Sequence, residues 1–549
     1  MVGALNTVAK IVLLIKCFKH VESYKRFIPH NFSSTITIQE SKIEDYKLKS
    51  KALKKLYDRK LIHYVSDIRN VDMILYQNEN EKDWENKKSA YAGIDLNCKY
   101  LHIGNLIPLI TLDILRNYNT DVILLLGRST TKIGDPSFQN VERKKTLEKE
   151  IYENEKNIRS NIISLLLQNE LDKKDLRQII EKSHTLGEKK FVYKSTSNKG
   201  SLTILTNTMW YGKMNLIDFL QYGEHFSVNK LLRKECFQSK LRKKNLTLKD
   251  LNYITLQSFD FVNLFRKYNT FIQIGGSDQW GNIQSGIELC HNVFNTQLYG
   301  LTTNLLIHRN NVKYSKSLFN ENRKLPIWID KKYNPPFLFW TFLRNVDDQR
   351  VQSYVDMLTD LNINIHERVK MKAQGGSPNE ETMLEHGKKG TLEHTHSNES
   401  VSSPPDVEKI YDAEINRAKK KLADRVTSFI YGSTVVEQIH KMIEIMKLNE
   451  FSKIDNVSIL KIFPHIQISI NNVREKKMNI MNLLRKFEIA ITNKEAKEKI
   501  GQRCVYLNTH CIDDPKRVLS MEDFIHMESN LYFSILRMGK KRCYSIIAK

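Results

Sequence analysis

Cysteine is scarce in this chain, with seven in 549 residues and none at a spacing typical of a known site. There is no Cys-x-x-Cys pair and no histidine at zinc-ligand spacing. These absences argue against a disulfide framework and a structural metal, and they indicate a reducing compartment. Long apolar runs are missing as well. The only one near the N-terminus, residues 11–15 (IVLLI), is too short to cross a bilayer, so no membrane partner is expected.

Acidic residues are few relative to basic ones. Lys and Arg total 86 against 62 Asp and Glu, which gives a formal net charge of +24. Such an excess favours a polyanionic partner or a basic leader. Residues 16–38 are basic with a single acid, Glu22, and follow the short apolar run, a combination typical of targeting segments. We therefore expect residues 1–55 to form an organelle leader, with a disordered N-terminal extension as the alternative.

The chain is longer than one hydrophobic core supports, so several domains are expected. From residue 56 to 345, strand and helix patterns alternate. Residues 88–96 and 121–128 are typical of strands and residues 104–118 of a helix, which together make a βαβ unit. Its ligand crevice would lie at the carboxyl ends of parallel strands. Further predicted elements are a charged helical stretch at 139–190, a helix at 247–268 capped by Thr247 and Asp250, and strands at 271–276 and 304–309.

The last third of the chain changes in composition. Residues 374–406 are rich in Gly, Ser, Pro, Glu and His, and so we expect a disordered insertion whose histidines are solvated and not metal ligands. Helical period returns at 407–448. From residue 471 a small basic unit follows, with a predicted helix at 482–501 and strands at 503–508 and 531–547, typical of a nucleic-acid module.

Two short motifs indicate phosphate chemistry. Residues 102–105 (HIGN) join a strand to a helix N-terminus, whose free N–H groups favour phosphate. Residues 313–317 (KYSKS) place two lysines in a polar loop, suited to the charge that develops on a reacting phosphate. Alone, the first could hold a structural histidine and the second could be a solvated loop. Together they fit cleavage of ATP at the α-phosphate.

Two further features carry polar groups into apolar surroundings. Residues 275–282 (GGSDQWGN) follow a predicted strand, where the glycines permit close backbone approach and Asp278 and Gln279 can bind a ribose or an amino acid. A tight turn with incidental polar residues is the alternative. Tyr253, Gln257 and Asp260 share one face of a largely apolar helix. Buried polar groups must be paired, so this stripe either satisfies itself or lines a polar pocket.

Taken together, these segments resemble bacterial-type tyrosyl-tRNA synthetases, which are class I aminoacyl-tRNA synthetases, over residues 60–549 apart from the insertion. The HIGN and KYSKS motifs are similar to signatures shared across class I. More specific to the tyrosine enzymes are residues 91–95 (YAGID), 133–137 (IGDPS), 223–229 (GEHFSVN), 253–261 (YITLQSFDF) and 273–283 (QIGGSDQWGNI). The resemblance implies an α/β fold with a Rossmann-type catalytic domain (56–345), a helical anticodon-binding domain (346–470) and a small α+β, S4-like RNA-binding domain (471–549).

The resemblance also implies roles for individual residues. Catalytic contacts with the phosphates would come from His102, Asn105, Lys313, Lys316 and Ser317. Tyrosine would be bound by Tyr91, Thr130, Asp135, Tyr253, Gln257, Asp260 and Gln273. ATP or the adenylate would be contacted by Asp95, Asn97, Gly104, Gly276, Asp278, Gln279 and Lys316. Phosphates of tRNA would meet Lys494, Lys497, Arg503, Lys540, Lys541 and Arg542. No residue is assigned to a metal.

The implied activity is that of an organellar tyrosine–tRNA ligase, with L-tyrosine, ATP carrying Mg²⁺ and tRNA(Tyr) as substrates and a homodimer as the assembly. The leader and the Lys- and Asn-rich composition favour a plastid of the apicomplexan kind over a mitochondrion. Four positions depart from the family pattern: Leu96, Asn97, Asn105 and Arg128. Asn105 can still donate a hydrogen bond, whereas Arg128 stands where glycine is common. The alternatives are a tryptophan enzyme and an RNA-binding or splicing cofactor that kept the fold.

Overall fold

The computed structural model describes residues 46–83, 86–137, 146–182, 189–308, 314, 328–330, 334–373, 407–454, 460–487, 489–526, 531–539 and 542–549. The expected insertion at 374–406, the first 45 residues of the expected leader, and Lys313, Lys316, Ser317, Lys540 and Lys541 lie outside these ranges.

An eight-stranded sheet organises the first part of the chain. Its strands are β1 (Ile62–Val65), β2 (Ser89–Asp95), β3 (Val122–Gly127), β4 (Leu176–Lys182), β5 (Lys189–Ser195), β6 (Leu202–Thr206), β7 (Thr270–Gly276) and β8 (Tyr299–Thr303). They lie in the order β1-β8-β7-β2-β3-β6-β5-β4. The five central strands, β8 to β6, are parallel. The two edges, β1 on one side and the β5–β4 hairpin on the other, are antiparallel.

Helices cover both faces of this sheet. They are α1 (Lys51–Asp58), α2 (Ile68–Asn80), α3 (Leu106–Asn117), α4 (Arg128–Ile133), α5 (Glu148–Leu166), α6 (Gln168–Asp172), α7 (Thr208–Tyr211), α8 (Leu216–Gln221), α9 (Val228–Leu232), α10 (Glu235–Arg242), α11 (Leu248–Tyr268) and α12 (Trp280–Phe294). Alternate residues of a strand point to opposite faces. In β3, Leu124 joins the core cluster with α3 and α5, whereas Ile123 and Leu125 join the one with α11 and α12. The parallel sheet is therefore buried on both sides, as the βαβ prediction requires.

Most of the predicted elements of this region are confirmed, and two are wrong. The stretch 139–190 was expected to be helical throughout, but α5 and α6 end by residue 172 and the hairpin β4–β5 follows. Its second strand also pairs with β6, the next strand along the chain, and this strand pairing overrides the helical spacing of its charges. The strand expected at 304–309 instead occupies Tyr299–Thr303, with Gly300 packed so closely that an added Cβ would lie 2.5 Å from Ile283.

A helical region follows the sheet, in agreement with the sequence pattern. It contains α13 (Pro336–Arg344), α14 (Val351–Leu358), α15 (Ile365–Ala373), α16 (Val407–Tyr431) and α17 (Ser433–Leu448). Helix α14 packs on α3 and helix α16 on α5, so this region shares one hydrophobic cluster with the sheet. At the other end of the chain, α1 crosses the expected boundary between leader and catalytic domain at residues 55–56, and its Leu53 and Leu56 are buried in the same cluster.

The C-terminal unit is a small mixed structure. Its elements are β9 (His465–Ile468), α18 (Ile470–Arg474), α19 (Ile480–Lys486), α20 (Asn493–Gly501), β10 (Val505–Leu507), β11 (His510–Cys511), β12 (Ile525–His526), β13 (Tyr532–Met538) and β14 (Arg542–Ala548). The strands form one sheet in the order β11-β10-β13-β14-β9, with β12 paired to β13. The single helix predicted at 482–501 is two helices, α19 and α20, because residues 489–492 between them are not helical.

Candidate active site

The polar side chains gather where the parallel strands end. Asp95 ends β2, Gly127 ends β3 and Gly276 ends β7, so the residues that follow these strands meet at one edge of the sheet. The approach at β3 is close: a Cβ on Gly127 would lie 2.5 Å from Asp95 Oδ1 and 2.4 Å from Thr130 Oγ1. A side chain at position 127 would separate β2 from α4.

Asp95 is the centre of one network. Its carboxylate accepts hydrogen bonds from the Thr130 hydroxyl at 2.9 Å and from the Tyr253 hydroxyl at 3.1 Å. Asp95 was assigned to ATP by resemblance, and the other two were assigned to tyrosine. The structure brings all three together at the junction of β2, α4 and α11, and their contacts with ATP and tyrosine stay predictions.

A second network surrounds Asp260, which is buried on α11 with 3% of its surface exposed. Trp210 Nε1 donates to Asp260 Oδ1 at 2.8 Å, and Asn207 Nδ2 donates to Oδ2 at 3.2 Å. Burial raises the pKa of Asp260 to about 7, and the hydrogen bonds oppose the rise. The carboxyl group is therefore poised between its neutral and charged forms near neutral pH.

Two buried polar atoms on β2 and β7 have no hydrogen-bond partner among the described residues. They are the hydroxyl oxygen of Tyr91 and Oε1 of Gln273. Tyr91 of β2 and Gln273 of β7 are register partners on neighbouring parallel strands, so their side chains lie side by side on the face that packs against α11. Tyr91 also contacts Phe261 of α11, with ring centroids 5.2 Å apart. Buried polar atoms are normally satisfied, and this adjacent pair is what a polar ligand would complete.

A third network links the loop after α4 to α12. Gln279 Nε2 donates to Asp135 Oδ2 at 2.9 Å, and Asn282 Nδ2 donates to Gln257 Oε1 at 2.9 Å and to Gln279 Oε1 at 3.2 Å. These contacts connect Asp135 of the IGDPS motif, and Gln279 and Asn282 of the GGSDQWGN motif, with Gln257 of the polar helix stripe. The polar groups of the stripe are therefore partly hydrogen-bonded within the protein and partly exposed to the polar site.

The HIGN turn forms as a capped helix start. The backbone N–H of Gly104 donates to Nδ1 of His102 at 3.1 Å, and the backbone N–H of His102 donates to Oδ1 of Asn105 at 3.0 Å. Because Nδ1 accepts, the neutral imidazole carries its proton on Nε2. Nε2 is then the donor that could meet a phosphate oxygen. Asn105, a departure from the family pattern, closes the turn by accepting through its side-chain oxygen.

Arg128 does not enter the site. Its Nε lies 3.7 Å from Glu155 Oε2, and its guanidinium lies over the ring of Tyr152, 5.3 Å from the centroid. Both partners belong to α5. The arginine therefore lies against the helix beside the strand end, which explains how a long side chain is accepted where glycine is common.

Three site residues were missed in the sequence. Asn207 and Trp210 bind Asp260, and Asn282 bridges Gln257 and Gln279. Asn207 was detectable, since it directly follows β6 and a polar residue at the end of a buried parallel strand points to the ligand crevice. The apolar strand of residues 202–206 was overlooked, and so its end was not located.

The residues expected to meet tRNA lie in the C-terminal unit. Lys494 and Lys497 are exposed on α20, Arg503 is exposed after it, and Arg542 is exposed at the start of β14. Three of these cations lie on α20 and the loop before β10. The fourth lies on β14, which β13 separates from β10 in the same sheet. The structure brings the four cations into one unit, and their contact with RNA stays a prediction.

Most of the chain matches a known family. The family described as tRNA synthetases class I (W and Y) matches residues 82–428, more than half of the chain. This protein belongs to the class I tRNA synthetases of that family. A tyrosine–tRNA ligase of Ehrlichia ruminantium (strain Gardel) is 28% identical over 504 residues, which cover 91% of this chain and 99% of the relative. Another, from Pelagibacter ubique (strain HTCC1062), is 29% identical over 497 residues, covering 90% and 98%.

A solved structure supports the fold of this synthetase. A C-terminally truncated mitochondrial tyrosyl-tRNA synthetase of Aspergillus nidulans aligns with a TM-score of 0.52 at 19% identity, covering 73% of this chain and 95% of the other. The expected α/β class I fold is confirmed. Within the part of the synthetase that the structure describes, no helix is long and apolar enough to cross a membrane. The same residues contain no cluster of three or more His, Cys, Asp or Glu side chains that could hold a metal ion.

Proposed function

We propose that this synthetase is a tyrosine–tRNA ligase. The observation that carries the proposal is the buried hydroxyl of Tyr91, which has no hydrogen-bond partner among the described residues and whose pKa is raised by burial and by the charge of the nearby, buried Asp260 carboxyl group. A phenol can accept from one of these groups and donate to the other. Relatives that match nearly the whole chain carry the name tyrosine–tRNA ligase, which supports the same substrate.

Activation would join tyrosine to ATP, which enters with Mg²⁺ held by its phosphates. A carboxylate oxygen of tyrosine attacks the α-phosphorus, a new P–O bond forms, the bond to the β-phosphate oxygen breaks, and pyrophosphate leaves. The tyrosine carboxylate is already a nucleophile, so the protein needs no general base; it must align the reactants and neutralise developing charge. His102 Nε2 would serve one phosphate oxygen, and the proposed roles of Lys313 and Lys316 are the same.

Selection against phenylalanine would follow from the hydroxyl-reading pair. Bound phenylalanine would leave the buried Tyr91 hydroxyl without a partner and would give Asp260 no phenol to bind, which is costly. Tyrosyl-tRNA synthetases are known to discriminate against phenylalanine by about 10⁵, and we adopt that established magnitude as the expected scale. Tryptophan offers an indole N–H but no acceptor for the Tyr91 hydroxyl. The pair therefore favours tyrosine over both competitors.

Transfer to tRNA(Tyr) would use the rest of the chain. We assign the helical region, 346–470, to the anticodon arm, and the C-terminal unit, 471–549, to an S4-like RNA-binding role. The four exposed cations of that unit support the assignment, because phosphate contacts supply affinity and strong salt dependence. The terminal ribose hydroxyl of tRNA would then displace AMP from the adenylate and take the tyrosine.

We also propose a homodimer. Four large apolar side chains are exposed in one short segment: Leu216 (69%), Ile217 (64%), Leu220 (55%) and Val228 (56%). This 216–228 surface includes part of the family motif at 223–229. Exposed apolar surface of this kind marks a site of association. The same segment also contacts the helix proposed to bind tyrosine, since Tyr222 packs on Phe259 of α11 with ring centroids 4.6 Å apart.

Organellar import is the last part of the proposal, with a plastid favoured over a mitochondrion. It rests on the basic leader composition of residues 16–38 behind a short apolar run. Expression of residues 1–55 fused to a fluorescent protein in cells that contain both organelles would locate the signal. Cytosolic fluorescence would contradict it.

The function is tested by ATP–pyrophosphate exchange with tyrosine, phenylalanine and tryptophan. We expect exchange with tyrosine alone. Folded protein without exchange for any amino acid would overturn the ligase and favour the RNA-binding alternative. A His102→Ala variant should lose exchange by about 10²–10³, the effect of removing one transition-state donor, while tRNA affinity persists. Loss of both would contradict independent roles for the turn and the C-terminal unit.

A further inference from the structure

Tyr314 is the described residue nearest in sequence to the two lysines of the second signature, since it is bonded to Lys313 and lies two residues before Lys316. It is buried, with 2% of its surface exposed. Its backbone N–H donates to the carbonyl oxygen of Leu306 at 3.3 Å. A cation-rich motif is usually solvated, so a buried aromatic residue inside it needs a physical reason.

One contact of Tyr314 reaches the first signature. A Cβ placed on Gly104 would lie 3.4 Å from the carbonyl oxygen of Tyr314, so its backbone lies directly against the HIGN turn. Only a small residue at position 104 leaves His102 and Tyr314 in place together, because the same Cβ would lie 3.0 Å from Cε1 of His102. The two signatures therefore touch through Gly104.

A second contact of Tyr314 reaches the helical region. The hydroxyl oxygens of Tyr314 and Tyr354 lie 3.0 Å apart, and that of Tyr354 is also 3.1 Å from the carbonyl oxygen of Ile307. A phenol has one proton, so both contacts are hydrogen bonds when the Tyr354 hydroxyl donates to the Ile307 carbonyl and the Tyr314 hydroxyl donates to Tyr354. Tyr354 belongs to α14, which packs on α3, the helix that begins directly after the HIGN turn.

A small pocket borders this pair. Its volume is about 30 Å³, and it is lined among others by His308, Phe342 and Arg350. The rings of His308 and Phe342 meet the ring of Tyr314 edge-on, with centroids 5.4 and 6.1 Å away. Ring packing and the hydroxyl contact therefore act on Tyr314 together, and removing the hydroxyl tests the second contribution alone.

We propose that Tyr314 and Tyr354 are positioning residues for amino-acid activation, whose hydroxyl contact holds the backbone of Tyr314 against the HIGN turn. This inference rests on the proposed function. Neither residue touches the reacting atoms. Their contact gives helix α14, in the region assigned to tRNA, a direct connection with the HIGN turn.

The test is a double-mutant cycle in the full chain, using Tyr314→Phe, Tyr354→Phe and the double variant. Each keeps the ring and loses one hydroxyl. We expect kcat of tyrosine-dependent pyrophosphate exchange to fall about tenfold in each single variant, the effect of one buried hydrogen bond. KM for tyrosine should not change, since Tyr91 and Asp260 are untouched. The double variant should be no slower than Tyr354→Phe alone, because that substitution already breaks the contact with Tyr314.

Tyr193→Phe is the matched control. Tyr193 is also buried at 2% exposure, and its hydroxyl accepts from Gln178 Nε2 at 3.2 Å, on a strand at the far edge of the sheet. It should keep wild-type kcat. An equal drop in this control, wild-type kcat in Tyr354→Phe, or multiplying losses in the double variant would overturn the positioning role.

A readout that does not depend on catalysis is hydrogen exchange of the Tyr314 amide. The exchange rate should rise at least severalfold in Tyr354→Phe, because the hydroxyl contact holds Tyr314 in place. An unchanged rate would contradict that role. Failure of the proposed function would give a different result, because the wild-type chain itself would then exchange pyrophosphate with no amino acid.

Discussion

Tyr91 carries a hydroxyl that is buried and unsatisfied among the described residues. A Tyr91→Phe variant should be more stable to urea by about 1 kcal/mol, since an unpaired buried hydroxyl costs free energy. The same change should lower tyrosine kcat/KM by about 10–100-fold and leave that for phenylalanine nearly unaltered, which pyrophosphate exchange with each amino acid would measure. Greater stability with unchanged selectivity would show that Tyr91 does not read the substrate hydroxyl.

Asp260 predicts a pH dependence of activity near neutrality. Burial raises its pKa in the folded protein from 3.8 to about 7, so the charged form predominates only above about pH 7. Tyrosine kcat/KM should therefore fall as pH decreases from 8 to 6, if the carboxylate accepts the phenolic proton. Between pH 3.8 and 7 the folded state holds a proton that the unfolded chain releases, and stability contributed by this group is lost as pH rises through that window. Asp260→Asn should be slow with tyrosine and show no such pH step.

Helix α11 carries Tyr253, Gln257 and Asp260, and its start has a reciprocal cap. The Thr247 hydroxyl accepts from the Asp250 backbone N–H at 3.4 Å, and Asp250 Oδ2 accepts from the Thr247 N–H at 2.9 Å. Thr247→Ala should lower the free energy of unfolding by about 1 kcal/mol, with Thr247→Ser as the control that keeps the cap. Equal denaturation midpoints for Ala and wild type would mean that Lys240, bound to Asp250 at 2.6 Å, holds the helix start without Thr247.

At the same scale, local signals explain which elements the sequence could predict. The apolar strand at 121–128 and the capped helix at 247–268 are indicated by apolar runs, caps and period, and both are present. The hairpin β4–β5 could not be predicted in this way, since its charges follow a helical spacing while its strands pair with each other and β5 also pairs with β6. The contacts of Asn207 and Trp210 could not be predicted from local signals either. Their partner, Asp260, lies 53 and 50 residues away in sequence, and only the fold brings these residues together.

At the scale of the whole molecule, the 216–228 surface predicts assembly. A chain of 64.4 kDa with Leu216, Ile217, Leu220 and Val228 exposed should sediment at twice that mass, because burying these side chains against a second copy removes apolar area from water. Ile217→Asp should shift the protein to a monomer, since a charge in the centre of an apolar interface is costly when unpaired. Ile491→Asp, at an equally exposed apolar residue of the C-terminal unit (61%), should stay dimeric. A wild-type monomer at micromolar concentration, or a dimer that survives Ile217→Asp, would place the contact between copies elsewhere.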